Sequence, residues 1–516
     1  MKYDTPQILK ETVLKARKAQ IKWQGLSIKT RGHYIGKLKT IIAERSDELI
    51  HIITETTGKS KIDALSTEIL STVIASRYYV KLAQRILKRE KIRRSSILFF
   101  NKKSYVYHEP YGVIGIISPW NYPFAIPFHE IVPALLAGNA VILKPASRTS
   151  KVGTFMQSIF DETGIPENLF RVVYLPGEKA GNAFVNSGID KLFFTGSTDT
   201  GRKLASLAAQ NLLPLSCELG GNDAMIVLPD ANIERAVHGA LWAGLSNSGQ
   251  SCGGVERIYV ANSVYGKFKE KLIENAKKLR MGFPDDPSIE IGSLTTEQQK
   301  EKVSAQVEDA VFRGANILYK SSVYTGKNSL FYPVTILENV PPNAPAVTEE
   351  TFGPVLVLEK VKNEEEAIYR ANDSSLGLTA SVWTSDRKKA FSLSRFLETG
   401  VVTVNDHLMS HGMPETPWGG SKGSGHSRTH GKWGFYEVTR IKVVVDEKLS
   451  WAKRDLWWYP YSDNLFKALK AVLFLFGGFK KPKPYSTGES RPVKSYVNSG
   501  FFAALWQLIK LFKRIF

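Results

Sequence analysis

The sequence predicts an α/β fold, with parallel sheets covered by helices on both faces, followed by a β-rich segment and an amphipathic helical tail. Three observations predict it. From Ser104 onward the chain is a series of short apolar runs divided by Gly and Pro. Helical stretches of roughly ten to fifteen residues separate those runs, an alternation that builds right-handed β-α-β units and a parallel sheet. No segment repeats at a period of about 20–50 residues, which sets a solenoid aside.

Taken in order, the first ninety residues read as helices, because Ile35, Leu38, Ile42, Leu49 and Ile53 recur at helical spacings with few turn residues between them. Gly112–Ile117, Ala140–Leu143, Arg171–Leu175, Lys191–Thr195 and Ala224–Leu228 read as buried strands. Phe128–Ala137, Thr149–Thr163 and Thr200–Gln210 read as helices between them. A second alternating region runs from about Asn222 to Val404. Glycines crowd residues 405–448 before a β-rich end, Val438 to Val445. Beyond Lys448 the chain turns aromatic and basic and reads as an appendage, with Pro482–Pro484 and Ser486–Pro492 as an exposed linker inside it.

Of 516 residues, 43% are hydrophobic and 23% charged, which is ordinary globular composition. Wholesale disorder, a collagen-like repeat and a multi-span membrane protein are excluded. The two cysteines, Cys217 and Cys252, cannot make a disulfide framework and fit a reducing compartment. No apolar run follows the start, Met1–Pro6, so no secretory signal is expected and the expected location is cytoplasmic. The formal charge of +20 is concentrated. Nine basic residues stand against Glu90 alone between Lys81 and Lys103, and twelve against three acids after Lys448, leaving the middle of the chain nearly neutral. The first stretch fits either a solvated face or an anionic partner; the second fits an anionic partner better.

Four elements carry candidate chemistry. In Asn247-Ser248-Gly249-Gln250-Ser251-Cys252, small polar neighbours and Gly249 open the site. The thiol there is either a small buried apolar group or a nucleophile that attacks a carbonyl. Glu218-Leu219-Gly220-Gly221-Asn222 ends a strand with a carboxylate that either caps a turn or activates water. In Ser118-Pro119-Trp120-Asn121-Tyr122-Pro123 the prolines fix the backbone past a buried strand, and Asn121 is either a turn residue or a donor to an oxyanion. Phe194–Gly201 is a strand, a glycine turn and a helix start, whose N–H groups suit a phosphate. Its Gly-x-x-x-x-Gly spacing matches neither the dinucleotide fingerprint nor an NTPase loop.

Together and in order, these motifs resemble the aldehyde dehydrogenase superfamily. The resemblance rests on Pro-Trp-Asn at 119–121, Lys144-Pro145, Gly-Ser-Thr at 196–198, Glu-Leu-Gly-Gly at 218–221 and Gly-Gln-x-Cys at 249–252. Glu349–Pro354, Asn372 with Gly377-Leu378, and Pro417–Lys422 with Ser424-Gly425 continue it, so that it covers about residues 5–448. It implies a Rossmann-like NAD(P)-binding domain over 1–218, a catalytic α/β domain over 219–404, an oligomerisation segment over 405–448 and a tail over 449–516. It also implies a homodimer or homotetramer. In the implied mechanism Cys252 attacks the aldehyde, while Asn121 and the Cys252 backbone N–H hold the oxyanion. A thioester forms, and Glu218 activates the water that releases the acid. Glu350 and Phe352 would lie on the nicotinamide ribose side, Pro119, Trp120, Gly196, Ser197 and Gly201 along the cofactor, and Lys144 on the adenosine ribose. No metal site is expected.

Three departures from the family pattern matter. Ser147 stands where a Glu often binds the ribose hydroxyls; a serine does not repel a 2′-phosphate, and Arg148 beside it attracts one. NADP is therefore expected to be accepted and preferred over NAD. Asn222 replaces a frequent Lys without bearing on activity, and Glu130 replaces a Lys that relays protons in several members.

In the tail, Phe501–Phe516 places Gln507, Lys510, Lys513 and Arg514 within one wedge of about 120° on an otherwise apolar helix. At ~24 Å it is too short to span a bilayer and suits the interface. Asn464–Phe479 has similar character, and Trp457-Trp458-Tyr459-Pro460-Tyr461 reads as an interfacial aromatic cluster that resembles the end of fatty-aldehyde-type members. The alternative is that these helices pack on the body. The expected function is oxidation of medium- or long-chain aliphatic aldehydes at the cytoplasmic face of a membrane. A semialdehyde dehydrogenase is one alternative. A catalytically inactive basic binding protein is another, although no nucleic-acid partner is expected.

Overall fold

The computed structural model describes residues 3–323, 329–456 and 458–477, with the isolated positions 506 and 509. By packing, the chain forms two compact units, Met1–Arg89 with Tyr107–Lys442, and Glu90–Val106 with Val443–Phe516.

The larger unit opens with helices, beginning with Pro6–Gln24. Thr5 accepts the Ile8 N–H and Pro6 takes the first helical position, where no backbone donor is needed. Leu9, Val13, Ala16 and Trp23 form its buried stripe. A five-stranded sheet follows, with β1 Val113–Ile117, β2 Ala140–Lys144, β3 Phe170–Val172, β4 Lys191–Thr195 and β5 Leu215–Glu218. Its order is β3-β2-β1-β4-β5 and every pair is parallel. All residues of β1 and β2 are buried, as a strand covered on both faces requires. A seven-stranded sheet comprises β6 Asp223–Val227, β7 Val255–Ala261, β8 Asn316–Lys320, β9 Thr335–Glu338, β10 Val355–Val361, β11 Thr379–Trp383 and β12 Val401–Val404. Its order is β8-β9-β10-β7-β6-β11-β12, parallel except for the antiparallel edge strand β8.

The α/β class and the strands expected from apolar runs are observed to within a few residues. One helix starts earlier than its pattern suggests: Ala125–Ala137 is wholly buried and holds Pro127 in its first turn. First-turn N–H groups have no partner within a helix, so a proline costs little there. The N–H groups of Phe124 and Ala125 instead donate to Glu68 Oε2 at 2.8 and 3.2 Å. Glu68 sits in a widened helical turn, Ala64–Leu70, and its other oxygen pairs with Lys59 at 2.6 Å with both side chains fully buried. The Lys59 ammonium also stands 3.9 Å from the centre of the Tyr122 ring.

The smaller unit is built on the antiparallel pair Glu90–Ile92 and Lys102–Pro110, with Thr439–Glu447 completing a three-stranded sheet. Residues 90–106 thus fold with the C-terminal stretch rather than with the first sheet. A helix, Asp463–Gly477, buries Leu465, Ala468 and Val472 against Leu456, Leu98 and Phe100. Lys102 pairs with Glu447 and Asp455. The linker expected at 482–492 and Trp457 lie outside the described residues. So does the helix expected at 501–516, apart from Trp506 and Ile509, which are helical and exposed. Among the described residues no helix is long and apolar enough to cross a membrane.

Because Lys59 neutralises a fully buried carboxylate, Lys59→Met should lower the unfolding free energy by about 3–5 kcal/mol. A urea unfolding curve with an unshifted midpoint would show that the pair carries no stability.

Candidate active site

The C-terminal ends of four strands of the five-stranded sheet lie side by side. Lys144 is in register with Ile117, Ile117 with Phe194, and Thr195 with Glu218. The chain leaving β1 carries Pro119, Trp120 and Asn121, and the chain leaving β4 carries Gly196 and Ser197. In open parallel sheets a ligand binds in the crevice at these ends, where the strand order reverses. The seven-stranded sheet supplies Cys252, from the loop before β7, and Glu350 and Phe352, before β10.

Three cavities meet at Cys252. The widest, about 530 Å³, is lined by Pro119, Trp120, Asn121, Gly196, Ser197, Glu350 and Phe352. A narrower one, about 110 Å³, is walled by Tyr122, Ile126, Trp242, Leu408, Met409 and Trp418. The third, about 20 Å³, touches Glu218, Glu130, Thr195, His129, His411 and His430; its size is that of one water molecule.

The loop that presents Cys252 is strained and firmly held. Asn247, Ser248 and Gly249 are consecutive left-handed residues, with φ of +52°, +56° and +74°. The Asn247 N–H donates to Asp63 Oδ2 at 2.7 Å, and its amide donates to the carbonyls of Asn121 and Gln250 at 3.0 and 3.1 Å. Ser248 Oγ donates to the Gly292 carbonyl, and Gln250 Oε1 accepts the Thr295 N–H. A Cβ on Gly249 would lie 2.0 Å from the Gly353 carbonyl oxygen. Burial pushes the Cys252 thiol up, and Glu350, Asp223 and Glu218 push it further. The other thiol, Cys217, is buried within β5 and raised to about 12 by burial. Asn121 Nδ2 donates to the Gln250 carbonyl at 3.0 Å, which places the amide beside the Cys252 loop.

Glu218 is buried and accepts the Ser427 hydroxyl on Oε1 at 2.7 Å. Its Oε2 has no partner among the described residues. Burial raises its pKa well above the carboxylate range, Ser427 opposes the rise and Glu130 adds to it. Glu130, within 3.5 Å of Thr195 Oγ1, is itself pushed up to about 8 by burial. His129 and His430 pack with ring centres 4.1 Å apart, and burial keeps both imidazoles neutral.

On the wide cavity, Glu350 accepts the Gly221 N–H at 2.9 Å. Phe352, at φ +57°, meets Trp120 edge-on at 5.6 Å. Glu256 holds that turn by accepting the N–H groups of Thr351 and Phe352. Lys144 is buried at the end of β2 with no partner among the described residues, and burial lowers its pKa. Ser147 and Arg148 lie exposed in the turn Ser147–Thr149, on the same sheet edge but outside this cavity wall. Gly201 does not reach the cavity; it lets its helix approach Leu219, which a Cβ would meet at 2.5 Å. Asn222 is bound into the framework, donating to the Val347 carbonyl at 2.6 Å. Sequence reasoning missed Asp63, Glu68, Ser427 and the histidines. Only Ser427 had a signal, its place beside the turn at Gly425. Among the described residues no cluster of His, Cys, Asp or Glu could hold a metal.

Two α/β sheets with a cysteine between a wide crevice and a narrow one suit an α/β enzyme that brings two ligands to one thiol. The chain belongs to the aldehyde dehydrogenase family, which it matches over residues 2–444. A 4,4'-diapolycopene aldehyde oxidase of Methylomonas sp is 35% identical over 473 residues, 92% of this chain and 88% of the relative. A putative NADP(+) succinate-semialdehyde dehydrogenase of Mycolicibacterium smegmatis is 36% identical over 436 residues, 84% of each chain. Among solved structures, an E. coli NADP-dependent enzyme superposes with a TM-score of 0.82 at 32% identity, covering 86% of this chain and 90% of that one. An NAD-dependent aldehyde dehydrogenase of Sinorhizobium meliloti gives 0.83 at 30% identity, covering 89% of each chain. The protein is thus an aldehyde dehydrogenase that uses NAD or NADP.

Gly249→Ala should reduce aldehyde oxidation on the order of 100-fold with an unchanged circular dichroism spectrum, because the loop must shift by the better part of an ångström. Retained activity would show that the left-handed turn does not set the cysteine.

Proposed function

We propose that the protein oxidises medium- or long-chain aliphatic aldehydes to carboxylic acids, favours NADP, and works at a membrane surface. The observation that carries the substrate class is the wall of the narrow cavity, which is mainly aromatic and aliphatic, has the hydroxyls of Ser66, Thr67 and Ser251 as its neutral polar groups, and includes no Lys or Arg among its described residues. Its histidine, His411, is held to about 4 by burial and is neutral at physiological pH. Nothing there balances the carboxylate of a semialdehyde, while an alkyl chain gains from leaving water.

Cys252 Sγ attacks the carbonyl carbon, and its proton passes to a base. The Asn121 amide and the Cys252 N–H hold the oxyanion that forms. A nicotinamide held in the wide crevice would supply the acceptor for the hydride that leaves the carbon. Cys252 then carries a thioester, and the free Oε2 of Glu218, facing a chamber the size of one water, takes the proton of the attacking water. Acid leaves and the thiol is restored. The Gly196 turn, Glu350 and Phe352, which line the wide cavity, and Lys144 at the neighbouring strand end would hold the dinucleotide. Arg148 is exposed there and makes no ion pair with a described residue, which supports a 2′-phosphate.

The membrane reading is supported by the smaller unit. Trp458, Tyr459 and Tyr461 are exposed, as are Phe466, Leu473 and Phe476 on one helix. Desolvation lowers the Lys448 pKa, and Lys103, Arg94 and Lys91 lie close enough to lower it further, a cluster of cations suited to anionic lipid. The exposed Ile441, Val443 and Val445 of the strand Thr439–Glu447 support a homodimer or homotetramer.

Purified protein should form NADPH with dodecanal, and Cys252→Ala should abolish it; turnover that survives the substitution would remove the nucleophile. Arg148→Ala should raise the KM for NADP roughly tenfold or more and leave NAD unchanged, since it removes one charged contact to phosphate. Equal effects on both cofactors would overturn the NADP reading. Glu218 must be ionised to act as base, so activity falls as pH drops through its raised pKa. Ser427→Ala removes a donor that favours the ionised form and should move that acid limb to higher pH. An unmoved limb would assign the titration elsewhere. Sedimentation with phosphatidylserine vesicles should weaken as salt rises, and equal binding to phosphatidylcholine would remove the anionic-surface reading.

A further inference from the structure

Outside the narrow cavity lies a groove of about 530 Å³. Ser66 and Trp242 belong to the walls of both, so the groove adjoins the narrow cavity whose inner wall includes Cys252. Its apolar wall comes from Ile62 in the N-terminal helices, Leu241 and Leu245 in the helix Ile233–Leu245, and Leu279, Ile289 and Ile291 beyond. The charged groups at its rim are already engaged. Asp63 accepts the Asn247 N–H and the Ser246 hydroxyl, Arg280 donates to Glu290 at 2.9 Å, and Lys278 donates to Glu274 at 2.8 Å. Among the described residues its Lys, Arg, Asp and Glu side chains are thus paired, while Ser60, His238, Asn275 and Ser288 add neutral polar edges and Trp242, Ile62 and Ile289 offer hydrocarbon an apolar surface. Trp242 and Ile62, 40% and 55% exposed, stand at this wall as apolar surface without a cover.

A cavity of about 110 Å³ cannot hold a long alkyl chain by itself, so the remainder of such a substrate must leave through its mouth. We propose that the outer groove is a distal subsite for the hydrocarbon end of an extended apolar aldehyde, and that it makes the enzyme selective for long chains over short ones. This rests on the reading of the narrow cavity as the aldehyde's path. Each methylene moved from water onto such a wall improves kcat/KM roughly two- to fourfold. Gains therefore continue past the length at which the narrow cavity is full.

The test is kcat/KM of the full-length enzyme with NADP for unbranched aldehydes from hexanal to octadecanal, in the native protein and in Ile289→Asp and Ile62→Asp. Neither position is fully buried, and having two variants guards against one that fails to fold. The native enzyme should gain steadily with length, and each variant should lose at least tenfold on octadecanal relative to hexanal, which does not reach the groove. A native profile that is flat beyond the medium chains, or variants that weaken hexanal and octadecanal alike, would overturn the subsite while leaving the apolar-aldehyde reading intact. Failure to oxidise any of these aldehydes would instead overturn that reading, and the subsite with it.

Discussion

The active site depends on a small set of charges buried in the N-terminal helices. Lys59 faces Glu68 at 2.6 Å inside the protein. Glu68 caps the chain just past Asn121 by accepting the N–H groups of Phe124 and Ala125. Asp63, also within the electrostatic reach of Lys59, accepts the Asn247 N–H at the base of the Cys252 loop. One cation thus balances two carboxylates, each fastened to a different catalytic loop. Without it, two charges would be stranded in a medium where an unpaired carboxylate costs several kcal/mol. The left-handed residues Asn247 and Ser248 store strain on the order of 1–3 kcal/mol each, and they persist because Asp63, Gly292 and Asn121 bind them from three sides.

That framework lets Cys252 stand where three very different environments meet. The wide crevice is polar and follows the strand ends; the narrow one is aromatic and leads to the outside; the smallest holds carboxyls and neutral imidazoles. On the proposed function, separation of this kind would keep cofactor, aldehyde and hydrolytic water on different approaches to one sulfur atom. It also explains the raised thiol pKa. Burial disfavours the thiolate, and the nearby Glu350, Asp223 and Glu218 disfavour it further, so the resting cysteine is protonated and shielded from adventitious reaction.

Much of this was legible in the sequence because the responsible residues are local. Fully buried parallel strands must be apolar along their whole length, and the runs at 113–117, 140–144 and 191–195 are. The motif residues Asn121, Glu218 and Cys252 sit at strand or loop ends with turn-forming neighbours, so spacing and chemistry pointed the same way. What was not legible acts at a distance. Lys59, Asp63 and Glu68 do not fall on one face of a regular helix, and only the tertiary fold, with the widened turn Ala64–Leu70, brings Lys59 against Glu68. The start of the helix Ala125–Ala137 was hidden because Pro123 and Pro127 read as breakers, and its cap comes from a residue 56 positions away. The pairing of residues 90–106 with the C-terminal stretch was invisible for the same reason: their shared basic character suggested a common partner, not a common fold.

The departure at Glu130 gains meaning from this geometry. Glu130 and Glu218 border a chamber with room for about one water, alongside two unpartnered imidazole nitrogens, those of His129 and His430. Two carboxyls in so small and dry a space cannot both ionise near neutrality. Burial takes Glu130 to about 8, so near neutral pH it is mostly protonated, and burial raises Glu218 well above the carboxylate range as well. With a carboxyl at position 130, the reactivity of Glu218 becomes a matter of pH and of the Ser427 hydroxyl, the single donor that favours its charged form most strongly. On the proposed role of Glu218, hydrolysis would therefore depend on the glycine-rich segment around Gly425 as well as on the strand that ends in Glu218.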